Sequence, residues 1–459
     1  MVPSEVVREL EQELELGKKC LGIRLNTSVS RFNWIAFMFA SILLIAAFVF
    51  VNAAQPALLE SVLHIPRENQ GSTTGRITLF GELSLMLCVG LWGVLSDRIG
   101  RKIVFATGYI IMAVSLVLQP RSPTLEILIC GRMLFGIGAG ACSAMLVAIL
   151  SDYPTDASRG KASGLVGVSG GVGALLAAIG LLALPNLFQS IGWDPLSAIY
   201  GAYGVTAGLC VLGAIISIFA LKSFTVKVLG PKKTMRETCS EALSCAASDP
   251  DLGLAYGAGF IARGDAAVLT VFLSLWITSY VLDDLHQSQA EAVARAGMVT
   301  GVAQLLGLVS APIIGWLADK FNRTFFLTIS SALAALAYGL FSAVSIPTSP
   351  TAFACVAAIG VAQLAVIIST QALLSSRSPE TIRGSTSGFF GFCGSLGIIF
   401  ATQVGGVMYD KLWPASPFLL YGIGNGLIAV WGLVLCAGKV WNTLFSGNDL
   451  QYEPLTTTP

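Results

Sequence analysis

The sequence predicts an all-α integral membrane protein whose twelve transmembrane helices form two pseudo-symmetric six-helix bundles. Composition is the first observation behind this. Of 459 residues, 54% are hydrophobic and 12% charged, with a mean hydropathy of +0.76, whereas soluble domains carry about 25% charged residues. The second is that apolar stretches of about 20 residues, the length that crosses a bilayer, recur twelve times, with a polar stretch after the sixth. The third is an internal duplication. Gly93-Val-Leu-Ser-Asp97-Arg98-Ile-Gly100-Arg101-Lys102 returns 222 positions later as Gly315-Trp-Leu-Ala-Asp319-Lys320-Phe-Asn322-Arg323. Each copy closes an apolar segment with a short basic loop.

In chain order, residues 1–33 are charged and helix-forming, with no cleavable signal peptide, and form an N-terminal segment. The first bundle, 34–221, holds spans near 34–58, 74–96, 102–119, 125–150, 161–184 and 197–221. A linker, 222–251, carries Lys222, Lys227, Lys232, Lys233 and Arg236. The second bundle, 252–438, holds spans near 252–280, 296–318, 324–345, 351–375, 385–409 and 416–438, and a tail, 439–459, completes the chain. With the N-terminus inside, twenty of the 27 Lys and Arg residues fall on the inner side. Arg67, Arg76, Arg121, Arg295 and Lys411 fall outside, and Arg132 and Arg263 lie in mid-span. By the positive-inside rule both termini and the linker are cytoplasmic. The sequons at Asn26 and Asn322 are then inside and unglycosylated.

Several functions are disfavoured. A net charge of +1, with the basic residues balanced by acids and held in short loops, argues against nucleic-acid binding. The ten cysteines form no CxxC pair, and Cys88, Cys130, Cys210 and Cys393 fall inside apolar segments, where they pack as small apolar groups. With His64 and His286 as the two histidines, a metal centre is poorly supplied. No GxxxxGK[ST] loop is present to bind ATP. The expectation is a monomeric, non-enzymatic protein in a lipid bilayer, with a small-molecule substrate and no cofactor beyond a proton gradient.

Aligning the halves extends the likeness. Pro154 and Arg159-Gly160 match Pro379 and Arg383-Gly384, and Gly164, Gly167, Gly170 and Gly171 match Gly388, Gly391, Gly394 and Gly397. Two six-helix halves with these signatures resemble the major facilitator superfamily over about residues 34–438. The resemblance implies the major facilitator fold and alternating access. It also implies a gate latch made by Gly93, Asp97, Arg98, Gly100, Arg101 and Lys102, with a weaker second copy at Gly315, Asp319 and Arg323. Physically, Asp97 ends the second span on the face where the eleventh begins, near Gly384-Ser385. A carboxylate at a helix N-terminus gains about 0.3–1 kcal/mol. Asp319 would meet the start of the fifth span near Arg159. The glycine ladders are expected to allow tight helix packing. The fifth-span ladder resembles the antiporter signature of the superfamily but lacks its proline.

Charges in mid-membrane cost about 2.5–3.5 kcal/mol on insertion scales, so each is a functional candidate. Glu82, Arg132, Arg263 and Asp265 stand out as substrate-binding or proton-coupling groups. In the other half Glu82 aligns with Gln304 and Arg132 with Val356, so the scaffold tolerates neutral residues at both places. Two roles are open to Glu82: proton coupling, or a structural ion pair with Arg132. Arg132 matches the fourth-helix arginine motif of the superfamily, tied to coupling in proton-linked members; hydrogen bonding to neighbouring backbone carbonyls is its alternative. Arg263 and Asp265, about 200° apart on their helix, point to opposite faces. Arg263 is expected to line the cavity and bind an anionic group, with Asp265 toward neighbouring helices; the alternative makes Asp265 the proton carrier. Asn52, Gln55, Gln304, Gln363 and Gln403 are candidate solute contacts or interhelical hydrogen-bonding groups.

These features point to a secondary active transporter of a small organic anion or zwitterion, proton-coupled. A multidrug or lipophilic-cation exporter and a non-transporting receptor of the same fold are the rivals. Tyr452-Glu-Pro-Leu455 resembles a tyrosine-based sorting signal, so the membrane is the plasma membrane or, in a eukaryote, an endosomal or lysosomal one.

Overall fold

The structure, a computed structural model, describes residues 19–155, 158–222, 244–378 and 383–445. Among them are twelve helices long and apolar enough to cross a membrane. They are α1 (Arg31–Ala53), α2 (Gln70–Ile99), α3 (Arg101–Leu118), α4 (Leu125–Asp152), α5 (Arg159–Leu175) and α6 (Pro195–Ala220). After the linker come α7 (Pro250–Ala267), α8 (Gln289–Lys320), α9 (Arg323–Ser342), α10 (Pro350–Arg377), α11 (Arg383–Lys411) and α12 (Ser416–Phe445).

Local chemistry sets where the helices begin. Ser30, Thr124, Asp194, Asp249, Ser288 and Ser349 each accept a backbone N–H of the first turn they precede, and Pro195, Pro250 and Pro350 come directly after three of them. Such caps contribute about 1 kcal/mol each, and proline fits the first turn because it lacks a donor there. The hydrogen bonds from Ser197 hold the Asp194 carboxyl below the usual carboxylate range.

Three helices depart from straight α geometry. α1 breaks at Ala54 before Pro56 and resumes as Gln55–Ser61. α5 passes into a π-type turn at Leu176–Gly180, and α7 into another at Val268–Phe272 before continuing as Leu273–Asp283. Widened turns of this kind are frequent at functional sites.

The apolar side chains form two cores. One runs from Ile23 to Leu221 and takes in Val293; the other runs from Leu252 to Ile428. The seam between them is built by α2 against α11 and by α5 against α8.

The described part of the segment before α1, residues 19–30, differs from the helical expectation, whereas residues 1–18, the linker residues 223–243 and the tail residues 446–459 lie outside the described residues. Lys19–Cys20 pairs antiparallel with Ile23–Arg24 across a Leu21-Gly22 turn in which both residues have positive φ. Docking of the adjoining residues fixes the strands. Leu25 bridges to Pro154, Asn26 N–H donates to the Tyr153 carbonyl at 2.9 Å, and Ile23, Leu25 and Val29 are buried. The Asn26 side chain donates to the Asp152 carbonyl at 2.6 Å, and Lys222 Nζ donates to the Ser28 carbonyl at 2.6 Å. The segment therefore laces the starts of α1 and the linker to the loop after α4.

Candidate functional site

The seam is sealed on the face opposite the linker, the far face. There Asp410, at the end of α11, accepts the N–H groups of Gly71 and Ser72 at the start of α2, at 2.8 and 2.7 Å. A Cβ at Gly75 would strike the Thr402 carbonyl, and one at Gly297 the Ala178 carbonyl in the widened turn of α5. Ser274 Oγ donates to the Ala53 carbonyl at 2.7 Å, and Arg67 pairs with both Glu60 and Asp283.

Toward the linker face the same four helices part. A Cβ added at Gly90, Gly93, Gly164, Gly167, Gly315 or Gly391 would meet nothing within 4 Å. Leu87 and Leu91 of α2 are 74% and 69% exposed. The packing expected of the glycine ladders is thus present at Gly171, which meets Leu308, and at Gly397, which meets Phe260. It is absent at Gly164, Gly167 and Gly391. The reason is conformational: the two halves are splayed where those glycines lie.

The charged groups lie between the sealed and open ends. Arg132 of α4 is 6% exposed and lies against Gly81, whose added Cβ would sit 3.0 Å from its Cγ. Its Nη2 donates to the Asn52 side chain on α1, its guanidinium lies over Phe135, and its buried Nη1 has no hydrogen-bond partner. Glu82, the next residue on α2, is half-buried and within electrostatic range of Arg132 and of Arg263 on the other half. Among the described residues no ion pair within 4 Å joins Glu82 to either arginine, so the structural Glu82–Arg132 pair is not formed in this conformation, and the side chain that Arg132 hydrogen-bonds is Asn52.

Arg263 and Asp265 separate as helical geometry requires. Arg263 is exposed and runs along Gly394 of α11, whose added Cβ would lie 2.7 Å from its Cγ. Asp265 is 0% exposed, and Asn425 Nδ2 of α12 donates to its two oxygens at 3.2 and 3.0 Å. Tyr338 of α9 donates to the Asp265 main-chain carbonyl at 3.4 Å.

Among the neutral candidates, Gln55 is 3% exposed and Gln403 half-buried, each with an unpartnered buried Nε2. Both belong to the sealed end. Gln304 is half-buried and Gln363 is 7% exposed; among the described residues neither hydrogen-bonds to the charged group.

In the basic loops, the side chains of Asp97, Asp319 and Arg159 lie outside the described residues. Gly100 has φ +97°, a conformation that favours glycine. Its counterpart Asn322 instead caps α9, accepting from Thr324 and Phe325. Arg101 pairs with Asp152 at 3.2 Å and donates to Ser96 Oγ at 2.6 Å. Arg98 and Arg323 are exposed and Lys102 half-buried.

Sequence inspection missed Asp410, Asp152 and Asn425. The available signal for Asp410 was an acid ending a span on the face opposite Asp97.

Twelve helices in two seam-joined halves match a known architecture, and the family model described as Major Facilitator Superfamily fits residues 37–402 and 257–443. The chain belongs to the Major Facilitator Superfamily. It is 26% identical to magnetosome protein MamH of Paramagnetospirillum magneticum, over 84% of this chain and 88% of that one. It is 28% identical to magnetosome protein MamZ of the same organism, of which it spans 63%. It is 22% identical to the 4-hydroxybenzoate transporter PcaK of Acinetobacter baylyi, over 86% of this chain and 89% of that one. In fold it matches the nucleoside transporter NupG with a TM-score of 0.66 at 13% identity, covering 87% of this chain and 98% of that chain. The D-xylose-proton symporter matches with a TM-score of 0.66 at 15% identity, covering 87% and 96%. The protein is a multi-pass membrane transporter of this superfamily.

Proposed function

We propose that this superfamily member moves a small organic anion by alternating access, coupled to protons, with its linker face in the cytoplasm. The observation that carries the reading is that Arg132 beside Gly81, Glu82 on α2 and Arg263 along Gly394 of the α11 that packs on α2 bring charged groups of both halves to one level of a seam sealed at one end and open at the other. A site shared by two halves is reshaped when the halves rock, which is how a carrier ties binding to access. Arg132, with a buried guanidinium nitrogen lacking an acceptor, adds a second cationic group. An unpaired buried donor costs about 1–3 kcal/mol, and a bound carboxylate would recover that. The likeness to PcaK supports an organic anion as cargo, and the fold shared with a proton symporter supports coupling. The loop residues Gly93, Asp97, Arg98, Gly100, Arg101 and Lys102, with Gly315, Asp319 and Arg323, form the latch that closes the linker face in the alternate state.

Uptake into proteoliposomes under an imposed pH gradient tests this, with 4-hydroxybenzoate and simple aliphatic carboxylates as cargo. Arg263→Ala abolishes uptake and Glu82→Gln removes its dependence on the gradient. Unchanged flux in both variants would overturn the assignment, and movement of a lipophilic amine in place of any carboxylate would favour the cation exporter.

A further inference from the structure

We infer that Glu82 is a tethered competitor for the cargo's own carboxylate, so that a proton must neutralise Glu82 before a monoanion can occupy the two arginines. Proton and monoanion then cross together with no net movement of charge. This rests on the anion-carrier reading above and adds to it a coupling rule and a stoichiometry.

Three side chains set the arrangement. Arg132 packs against Gly81, the residue before Glu82, and is anchored through one guanidinium nitrogen to Asn52 while the other stays buried and unpaired. Arg263 reaches the seam from the other half along Gly394 of α11, the helix that packs on α2 and therefore on the helix carrying Glu82. Glu82 follows the glycine that Arg132 packs against and sits on the helix that faces Arg263's track along α11, yet among the described residues it is locked to neither arginine within 4 Å. A carboxylate held near two guanidinium groups, without closed hydrogen bonds to them, offsets their charge and leaves their donors free.

A cargo carboxylate brings the same charge and the same acceptor atoms to the same donors. Two carboxylates sharing a site repel, and the repulsion is relieved when one of them binds a proton. Glu82 exchanges that proton with water at whichever face is open, loading it with the cargo at the far face and releasing it at the linker face. Asp265 does not fill this role, because it is fully buried behind α7 and engaged by Asn425.

The charges balance. With Glu82 ionised, two guanidinium groups and one carboxylate leave a single positive charge. With Glu82 neutral and a monoanion seated, the sum is again a single positive charge. Empty and loaded carriers therefore present the same charge to the membrane field, and the potential does no work on the exchange between them.

The test measures thermal stabilisation of the purified full chain by benzoate and by 4-hydroxybenzoate between about pH 5.5 and 7.5. One proton taken up per anion makes the apparent affinity of the wild type fall about tenfold per pH unit above the Glu82 titration. Glu82→Gln binds the same probes independently of pH, and about tenfold or more tighter than the wild type at the upper end of the range. Equal, pH-independent binding by both proteins would leave the anion reading standing and overturn the competitor. Binding of no carboxylate by either would overturn the anion reading, and the competitor with it. In wild-type proteoliposomes, proton-driven benzoate uptake is expected to be the same with and without a potassium diffusion potential. Uptake that responds to the potential would overturn the charge balance.

Discussion

Asp410 of α11 accepts the backbone N–H of Gly71 at 2.8 Å, across a sequence separation of 339 residues. The same carboxylate takes the Ser72 N–H at 2.7 Å, so one side chain satisfies two of the unpaired donors at the start of α2. The approach requires glycine: a Cβ at position 71 would lie 2.5 Å from Asp410 Oδ1 and 2.7 Å from the Gly406 carbonyl. α2 and α11 form one seam pair, and each ends in an acid, Asp97 and Asp410, at opposite faces.

Asp410→Asn removes the charge from this cap and weakens far-face closure by about 0.5–2 kcal/mol. A cysteine at Thr402, buried in the sealed seam, is expected to react faster with a membrane-impermeant thiol reagent in the Asp410→Asn background. Unchanged labelling would show that the cap does not hold the seam.

Bulk at seam glycines should act with opposite sign at the two ends. Gly297→Val collides with the Ala178 carbonyl and disfavours the present conformation, whereas Gly167→Val meets open space and is accommodated. Transport falls in both because each blocks one half of the cycle. Thermal stability falls, by about 1–3 kcal/mol for overpacking, in the Gly297 variant and stays near wild type in the Gly167 variant.

The half-buried Arg101–Asp152 pair, at 3.2 Å, ties α3 to the end of α4 with Ser96 as a third member. Arg101→Ala leaves Asp152 without its counter-charge and should lower stability by about 1–3 kcal/mol, read as a drop in melting temperature. A drop no larger than that of Arg98→Ala, whose side chain is exposed, would mean that the pair contributes nothing.

Asn425→Leu strands the Asp265 carboxyl with no side-chain donor and is expected to cost about 1–3 kcal/mol. Asp265→Asn is nearly neutral for stability and keeps proton-driven uptake. A folded Asp265→Asn variant that had lost its pH response would return the proton-carrying role to Asp265.

The spans were legible because a bilayer admits few alternatives: long apolar segments must be helices, and the Gly93 and Gly315 repeats mark equivalent turns. The separation of Arg263 from Asp265 was legible for a similarly local reason, the fixed angle between neighbours on a helix. Features fixed by distant partners were not. The hairpin before α1 consists of two-residue strands with no pattern of their own and exists because Leu25 and Asn26 dock on Pro154 and Tyr153. Nothing near Asp410 in the sequence points to Gly71. The glycine ladders were legible in part, at Gly171 and Gly397, and the rest was not for a different reason. Whether Gly164 and Gly391 touch anything depends on which face is open, and a sequence encodes both conformations at once.

The central claim is that the two halves rock about a shared site, and bridging them across the far face tests it most directly. Arg67 and Asp283 meet there at an exposed edge of the seam. Arg67→Cys with Asp283→Cys, joined by a short, reducible bifunctional thiol reagent, is predicted to abolish uptake into proteoliposomes, and reduction of the linker to restore it. Undiminished uptake with the bridge intact would contradict the account.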